Sequence, residues 1–242
     1  MNPGDYEAVS QAATREDFRA ALLAFATRMD FPLVNALLVD GDLGSPSLKI
    51  GAVGNTPKSF LLTHADLKKI RSDPVMHRLL DDPTPFVWDQ AFYVRRGMGP
   101  LWEDQAPYGY RVGVAASIPV GGGQRLMVGV DRHDKLPTSS LALARLQADL
   151  QLLAVHAHVA ARRLLVKPAP VAAEALQLPR LTPRETDVLR WTDEGKTAFE
   201  VGMILGLKER TVNSYLESVK EKLGVVGKKE QAIKVAKALG LL

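Results

Sequence analysis

The chain has 242 residues, 46% hydrophobic and 24% charged with a formal net charge of +4, which suits a soluble globular protein of two domains rather than a fibrous or disordered one. The absence of cysteine excludes a disulfide framework, a thiolate nucleophile and any cysteine-ligated zinc or iron–sulfur centre. No apolar run approaches the roughly 20 residues of a membrane span, and Met1 to Asp30 lacks a basic start followed by an apolar block, so the cytoplasm is the expected compartment, with no membrane partner.

In chain order, Tyr6 to Arg28 carries Phe18, Ala21, Leu22 and Phe25 at helical spacing, and Phe31-Pro32 ends it. Val34 to Val39 and Leu48 to Gly51 are β-rich and separated by Asp40-Gly41-Asp42 and Gly44-Ser45-Pro46, which predicts a hairpin. A helical block follows from Lys58 to Leu80, restarting at Asp73-Pro74 with aspartate as N-cap and proline at the first helical position. Phe86 to Trp88 reads as a strand, and Tyr110 to Val120 with Arg125 to Val130 form a second hairpin around Gly121-Gly122-Gly123. Thr138 to Leu165 is the longest helix; Leu146, Leu150, Leu152, Leu153, Val155, Val159 and Leu164 make its apolar stripe broader than one sheet contact needs, which points to a second subunit. The expected fold is α+β: an N-terminal α-β-α sandwich with a mostly antiparallel sheet, in the PAS or GAF style, over residues 1–165. Residues 166–180 contain Pro168, Pro170 and Pro179 and read as a semi-rigid linker, and an all-α four-helix domain occupies 181–242.

That last domain is explicit in its caps. Thr182-Pro183-Arg184-Glu185 and Thr197-Ala198-Phe199-Glu200 each place a hydroxyl at the N-cap and a glutamate three residues on, so orphan backbone donors are satisfied reciprocally. Gly195 and Gly206 stop the two helices. A third helix from Glu209 puts Val212, Tyr215, Leu216, Val219 and Leu223 on one face and Arg210, Asn213, Ser214, Glu217, Lys220 and Lys222 on the other. A fourth, Lys228 to Leu239, closes the core with Ala232, Ile233, Val235 and Ala236. Two short helices joined by a tight turn, the second polar on its outer face, form a helix-turn-helix whose second helix enters the major groove. From Gly206 to Leu242 there are 8 Lys/Arg against 4 Asp/Glu, a basic bias suited to phosphate. Candidate DNA-binding residues are Lys196, Thr197, Glu209, Arg210, Thr211, Asn213, Ser214 and Lys220.

Leu181-Thr182-x-Arg184-Glu185, Leu189-x-Trp191, Gly195-Lys196-Thr197, Val201-x-x-Ile204-Leu205, Thr211-Val212 and Lys222-Leu223-Gly224-Val225 together resemble the LuxR-type output domain of quorum-sensing and NarL/FixJ-type transcription regulators. Lys208 stands where that family often has a serine N-cap, and Gly202 where a small alanine is usual. Each departure is expected to cost roughly 1 kcal/mol of helix stability. Tyr215 and Ser218 replace a frequent histidine and asparagine, and Glu217 on the outer face would repel phosphate.

The N-terminal part resembles the autoinducer-binding domain of LuxR-type receptors through Phe60 and His64, Asp73-Pro74, Trp88, and Tyr108-Gly109-Tyr110-Arg111-Val112-Gly113 before Pro119. The resemblance implies that Asp73 accepts a hydrogen bond from the amide of an acyl-homoserine lactone and that Trp88 packs over its lactone end. Phe60 replaces a tryptophan whose indole donates to the lactone carbonyl, and His64 replaces a tyrosine, so the implied signal is an acyl-homoserine lactone or a related small amphiphile, as in divergent "solo" members. With the surrounding aromatics, the candidate ligand-binding set is Phe60, His64, Asp73, Trp88, Trp102 and Tyr108.

Gly195-Lys196-Thr197 imitates the end of a phosphate-binding loop, but Arg190 stands where that loop needs glycine. His156 and His158 lie about 200° apart on a helix and do not chelate one metal. No nucleophile–base pair or dinucleotide cradle is found, so neither enzyme activity nor a cofactor is expected. The expectation is a homodimeric, signal-responsive transcription regulator that binds a pseudo-palindromic operator and engages RNA polymerase. The rival reading is a ligand-independent dimeric regulator whose N-terminal domain binds another protein. A phosphorylated response regulator is disfavoured because the first hundred residues lack its acidic cluster.

Overall fold

The computed structural model describes residues 1–43, 45, 47–64, 67–165 and 178–242, without the side chains of His64, Leu67 and Lys68. Most of the expected linker therefore lies outside the described residues. Among those described, two compact units form: 1–56, 67–104 and 110–165 in the first, and 57–64, 105–109 and 178–242 in the second.

The first unit opens with α1 (Pro3–Gln11) and α2 (Arg15–Arg28). These are two helices where the apolar spacing predicts one. The break is chemical, because Thr14 is itself an N-cap, accepting from the Asp17 N–H while Asp17 returns the bond to the Thr14 N–H. Strands β1 (Leu33–Asp40), β2 (Lys49–Gly54), β3 (Phe86–Trp88), β4 (Val112–Gly121) and β5 (Gln124–Arg132) form one sheet of order β2-β1-β5-β4-β3, antiparallel at every pairing. Both predicted hairpins are present. Gly121, Gly122 and Gly123 all have positive φ (91°, 62° and 78°), which a residue with a Cβ adopts only under strain.

Strand alternation gives the sheet two faces. One carries Val34, Ala36 and Leu38, then Val114 and Ala116, then Leu126, Val128 and Val130. These pack with Phe18, Leu22 and Phe25 of α2 and with Leu150, Leu153, Ala154, Ala157, Ala160 and Ala161 of α8 (Ser140–Leu164). Four alanines on that stripe keep the helix close to the sheet, and each fully buried leucine stabilises by about 2 kcal/mol. The other face carries Trp88, Gly113, Ala115, Ser117, Gly129 and Asp131. Against it runs the segment holding α4 (Leu67–Ser72), α5 (Pro74–Asp81), α6 (Gln90–Val94) and α7 (Gly99–Gln105). The Ser117 hydroxyl, for example, donates to the Leu79 carbonyl of α5 at 2.6 Å. The predicted helical block 58–80 is thus three helices, and α6 and α7 were not foreseen. Asp89, which accepts from the Phe92 N–H at 2.8 Å, is the cap that marks α6.

The second unit holds α9 (Pro183–Asp193), α10 (Ala198–Leu205), α11 (Glu209–Leu223) and α12 (Lys229–Ala238), with α3 (Lys58–His64) and a 3-10 turn at Ala106–Tyr108. The Ser59 hydroxyl donates to the Leu223 carbonyl, and the Val226 N–H donates to the Pro107 carbonyl at 2.8 Å. Among the described residues no helix is long and apolar enough to cross a membrane.

Candidate signal site and DNA-reading helix

Antiparallel register lines up Trp88 of β3, Gly113 of β4 and Asp131 of β5 in one row across the sheet. Gly113 makes the row possible: a Cβ there would lie 2.3 Å from Asp131 Oδ1 and 2.6 Å from Trp88 Nε1. The indole and the carboxylate meet in the space that a side chain at 113 would fill. Trp88 and Asp131 are both buried, at 4% and 6% exposure.

Asp73 caps α5, accepting from the Val75 N–H at 2.8 Å, and its Oδ1 also accepts from the Tyr93 hydroxyl at 3.0 Å. Tyr93 stands edge-on to Trp88, with ring centroids 5.6 Å apart, so one aromatic side chain links the two residues that the sequence singled out. Burial pushes the Asp73 carboxyl up to about 6, against the bonds from Val75, Tyr93 and Met76 and the nearby His77. Burial pushes Asp131 up as well, the Asp73 charge adds to this, and the Trp88 indole opposes it. Alongside, the Tyr110 hydroxyl donates to Thr56 Oγ1 at 3.1 Å and accepts from Asn35 Nδ2 at 3.2 Å.

Of the other candidate ligand residues, Trp102 is buried, but its indole donates to the Arg111 carbonyl at 2.9 Å and its ring lies under the Arg111 guanidinium, which gives it packing work. Phe60 and Tyr108 belong to the second unit, where their rings meet edge-on at 5.3 Å and the hydroxyls of Thr63 and Tyr108 lie 2.9 Å apart. His64 ends α3, and its side chain is outside the described residues. Asp131 was missed by motif reasoning. Its signal is a lone acid after the apolar run Leu126 to Val130.

In the second unit both capping boxes form. Glu185 does more than cap: beyond the Thr182 N–H it accepts from Ser218 Oγ at 2.8 Å and Lys222 Nζ at 2.7 Å, both on α11. Burial alone would raise its carboxyl, but these bonds hold it down at about 2. Lys222, read as outward-facing, is therefore an internal tie. Gly202 corrects another expectation. A Cβ there would lie 2.6 Å from the Leu207 carbonyl oxygen, so the glycine permits the tight turn between α10 and α11 instead of merely weakening a helix.

Val212, Leu216, Val219 and Leu223 of α11 are buried, while Glu209, Arg210, Asn213 and Ser214 are exposed along its N-terminal half. Lys208 makes no side-chain cap bond. Thr197 is occupied by its capping box with Glu200, and Lys196 is half-buried beside it. Thr211 is half-buried in the first turn of α11. Lys220 turns away from the outer face, donating to the Gly227 carbonyl at 3.1 Å and pairing with Glu217 at 2.8 Å.

Residues 14–161 match the autoinducer binding domain family, and residues 179–236 match the bacterial regulatory proteins of the luxR family. The transcriptional activator protein SolR of Ralstonia nicotianae is 34% identical over 172 residues, covering 70% of this chain and 69% of its own. Two solved structures share the fold at 23% identity. SdiA, a protein of Escherichia coli, in complex with octanoyl-rac-glycerol gives a TM-score of 0.56, covering 98% of this chain and 93% of its own. The N-acylhomoserine lactone dependent factor CepR2 from Burkholderia cenocepacia gives 0.58, covering 68% and 94%. An aspartate-capped, tryptophan-lined face on an antiparallel sheet, joined in one chain to a helix-turn-helix, agrees with both family matches, and the chain belongs to the LuxR family of autoinducer-binding, quorum-sensing-type transcriptional regulators.

Proposed function

We propose that this chain works in the cytoplasm as a homodimeric regulator, not an enzyme, and that a small amphiphilic signal binds the sheet face bearing Asp73 and Trp88. The observation that carries this reading is the pairing of a buried carboxylate with a buried indole through Tyr93, on a face floored by Gly113, Ala115 and Gly129. A carboxylate in an apolar setting orients an N–H donor strongly, and small floor residues leave room for an acyl chain. Acyl-homoserine lactones are the first candidates, because CepR2 is N-acylhomoserine lactone dependent.

Dimerisation is supported by α8, where Leu152, Val155 and Val159 are large, apolar and 42–44% exposed on one side of the helix. Operator reading is assigned to Arg210, Asn213 and Ser214 of α11, which suit base edges and phosphate, and RNA polymerase is the partner of the DNA-bound form.

Thermal unfolding of the full chain against acyl-homoserine lactones of graded length, with selection of bound sequences from random duplexes, tests the proposal. A shift of several degrees with one chain length is expected, since ligand at 100 times its Kd contributes about 2.7 kcal/mol. Enriched duplexes should be pseudo-palindromic, with half-sites about one helical turn apart. No shift with any acyl compound, in a dimer that still selects DNA, would replace the signal site with a purely protein-binding domain.

A further inference from the structure

Asp131 has a position that packing does not explain. It is the one acid on the buried stretch of β5, and among the described residues no basic group offsets it: the Trp88 indole favours its charge, while burial and Asp73 oppose it. An uncompensated buried carboxylate is destabilising, and an apolar core residue of similar size would avoid that penalty.

The two carboxylate oxygens differ in their surroundings. Oδ1 stands at the Gly113 gap beside the indole. Oδ2 lies over Gly129, two residues back on the same strand and the same face. A Cβ built at Gly129 would meet Oδ2 at 3.9 Å and the Val114 carbonyl oxygen at 4.0 Å, both ordinary van der Waals distances, so a side chain there would not clash. Oδ2 therefore stands beside a stretch of sheet that carries no side chain. Gly129 pairs with Ala115 on β4, so that floor continues across the sheet. A carboxylate oxygen is an acceptor only, so the part of a signal that meets it must be a donor.

We propose that Asp131 is a specificity-determining residue of the signal site, taking with Asp73 a signal whose polar end carries two hydrogen-bond donors, one of them cationic. The amide N–H of an acylated amine meets Asp73, and an ammonium lies over Gly129 against Asp131 Oδ2. This rests on the reading of Asp73 and Trp88 as the signal site. Two carboxylate acceptors on one face hold a protonated amine better than a lactone ring, which offers acceptors of its own.

The test uses the full chain, Trp fluorescence titration, and two probes of equal acyl length: N-octanoyl-homoserine lactone and N-octanoyl-1,4-diaminobutane. The amine probe is expected to bind wild type at least tenfold more tightly. Asp131→Asn, which keeps an acceptor for Trp88, should lose at least tenfold more affinity for the amine probe than for the lactone. A wild-type measurement needs no variant: between pH 7.5 and 5.5 the amine probe should weaken severalfold, as Asp73, whose carboxyl is raised to about 6, takes up a proton beside Asp131, Tyr93 and His77, while the lactone changes less. Lactone preference in wild type, or an amine affinity that neither Asp131→Asn nor acid reduces, overturns the assignment and leaves the signal site intact. Failure of both probes and of every other acyl compound removes the site itself.

Discussion

Lys222 Nζ of α11 donates to Glu185 Oε2 of α9 at 2.7 Å, fastening the last turn of the helix that carries the candidate DNA-binding residues to the first turn of the helix that opens the domain. Glu185 is 3% exposed, so the bond is shielded on one side, whereas Lys222 remains partly in water and contributes less than a fully buried partner would.

Glu185→Gln should therefore lower the stability of the C-terminal helices by about 2 kcal/mol, between a charged hydrogen bond and a cap. Trp191 on α9 reports it in urea unfolding. The folded carboxyl sits at about 2, below its ordinary 4.5, so its contribution is complete above pH 4.5 and is lost as pH falls toward 2. The gap between wild type and variant should be widest at neutral pH and close in acid; a gap constant with pH would refute the charge-based account.

Asp73 has the opposite sign. Its folded carboxyl is raised to about 6 from 3.8, so the native state binds the extra proton between those values and stability falls as pH rises through that window. Asp73→Asn keeps the α5 cap and an acceptor for Tyr93 but carries no charge to desolvate. Without signal it should melt higher than wild type at pH 7.5, by roughly 1–3 kcal/mol, and match it near pH 4, while losing response to signal. Melting curves at the two pH values check the first claim and titration the second.

Arg210 and Lys220 lie on one helix and should behave differently. Arg210→Ala should weaken DNA binding tenfold or more and reduce the salt slope by about one if it meets phosphate. Lys220→Ala should leave that slope nearly unchanged and instead lower thermal stability, because its ammonium ties α11 to the Gly227 carbonyl. Fluorescence anisotropy across a salt series separates them.

Gly202→Ala raises helix propensity by about 1 kcal/mol, yet it puts a methyl 2.6 Å from the Leu207 carbonyl oxygen. Net destabilisation of about 1–3 kcal/mol is expected, with weaker DNA binding as α11 shifts. A stabilised variant would show that the turn yields freely.

Val155→Glu with Val159→Glu places charge on the exposed apolar side of α8. If α8 forms the dimer interface proposed above, sedimentation should show wild type as dimer and the variant as monomer at the same concentration, with the α8 core residues Leu150, Leu153 and Ala157 undisturbed.

Much was legible because its signals are local. Thr182 with Glu185 and Thr197 with Glu200 announce helix starts by a spacing of three, and the glycines between β4 and β5 announce a hairpin. The Asp73-Pro74 cap and the two short helices before α11 follow from the same short-range rules. The helix-turn-helix and the α+β class were therefore determined by the sequence itself, since caps, turns and apolar periodicity act within a few residues.

Other relationships were decided only in three dimensions. Nothing near Asp131 in the chain announces Trp88 as its neighbour; strand register across Gly113 places them together, and register is set by pairing between distant segments. Nor does helical periodicity tell whether a lysine faces solvent: Lys220 and Lys222 both read as outward, and long flexible side chains turned to a carbonyl and a carboxylate that only the packed helices bring within reach. The chain wrote its elements and caps locally, while the partners of its buried charges came from tertiary packing, because burial and register are properties of the assembled sheet and bundle, not of any short segment.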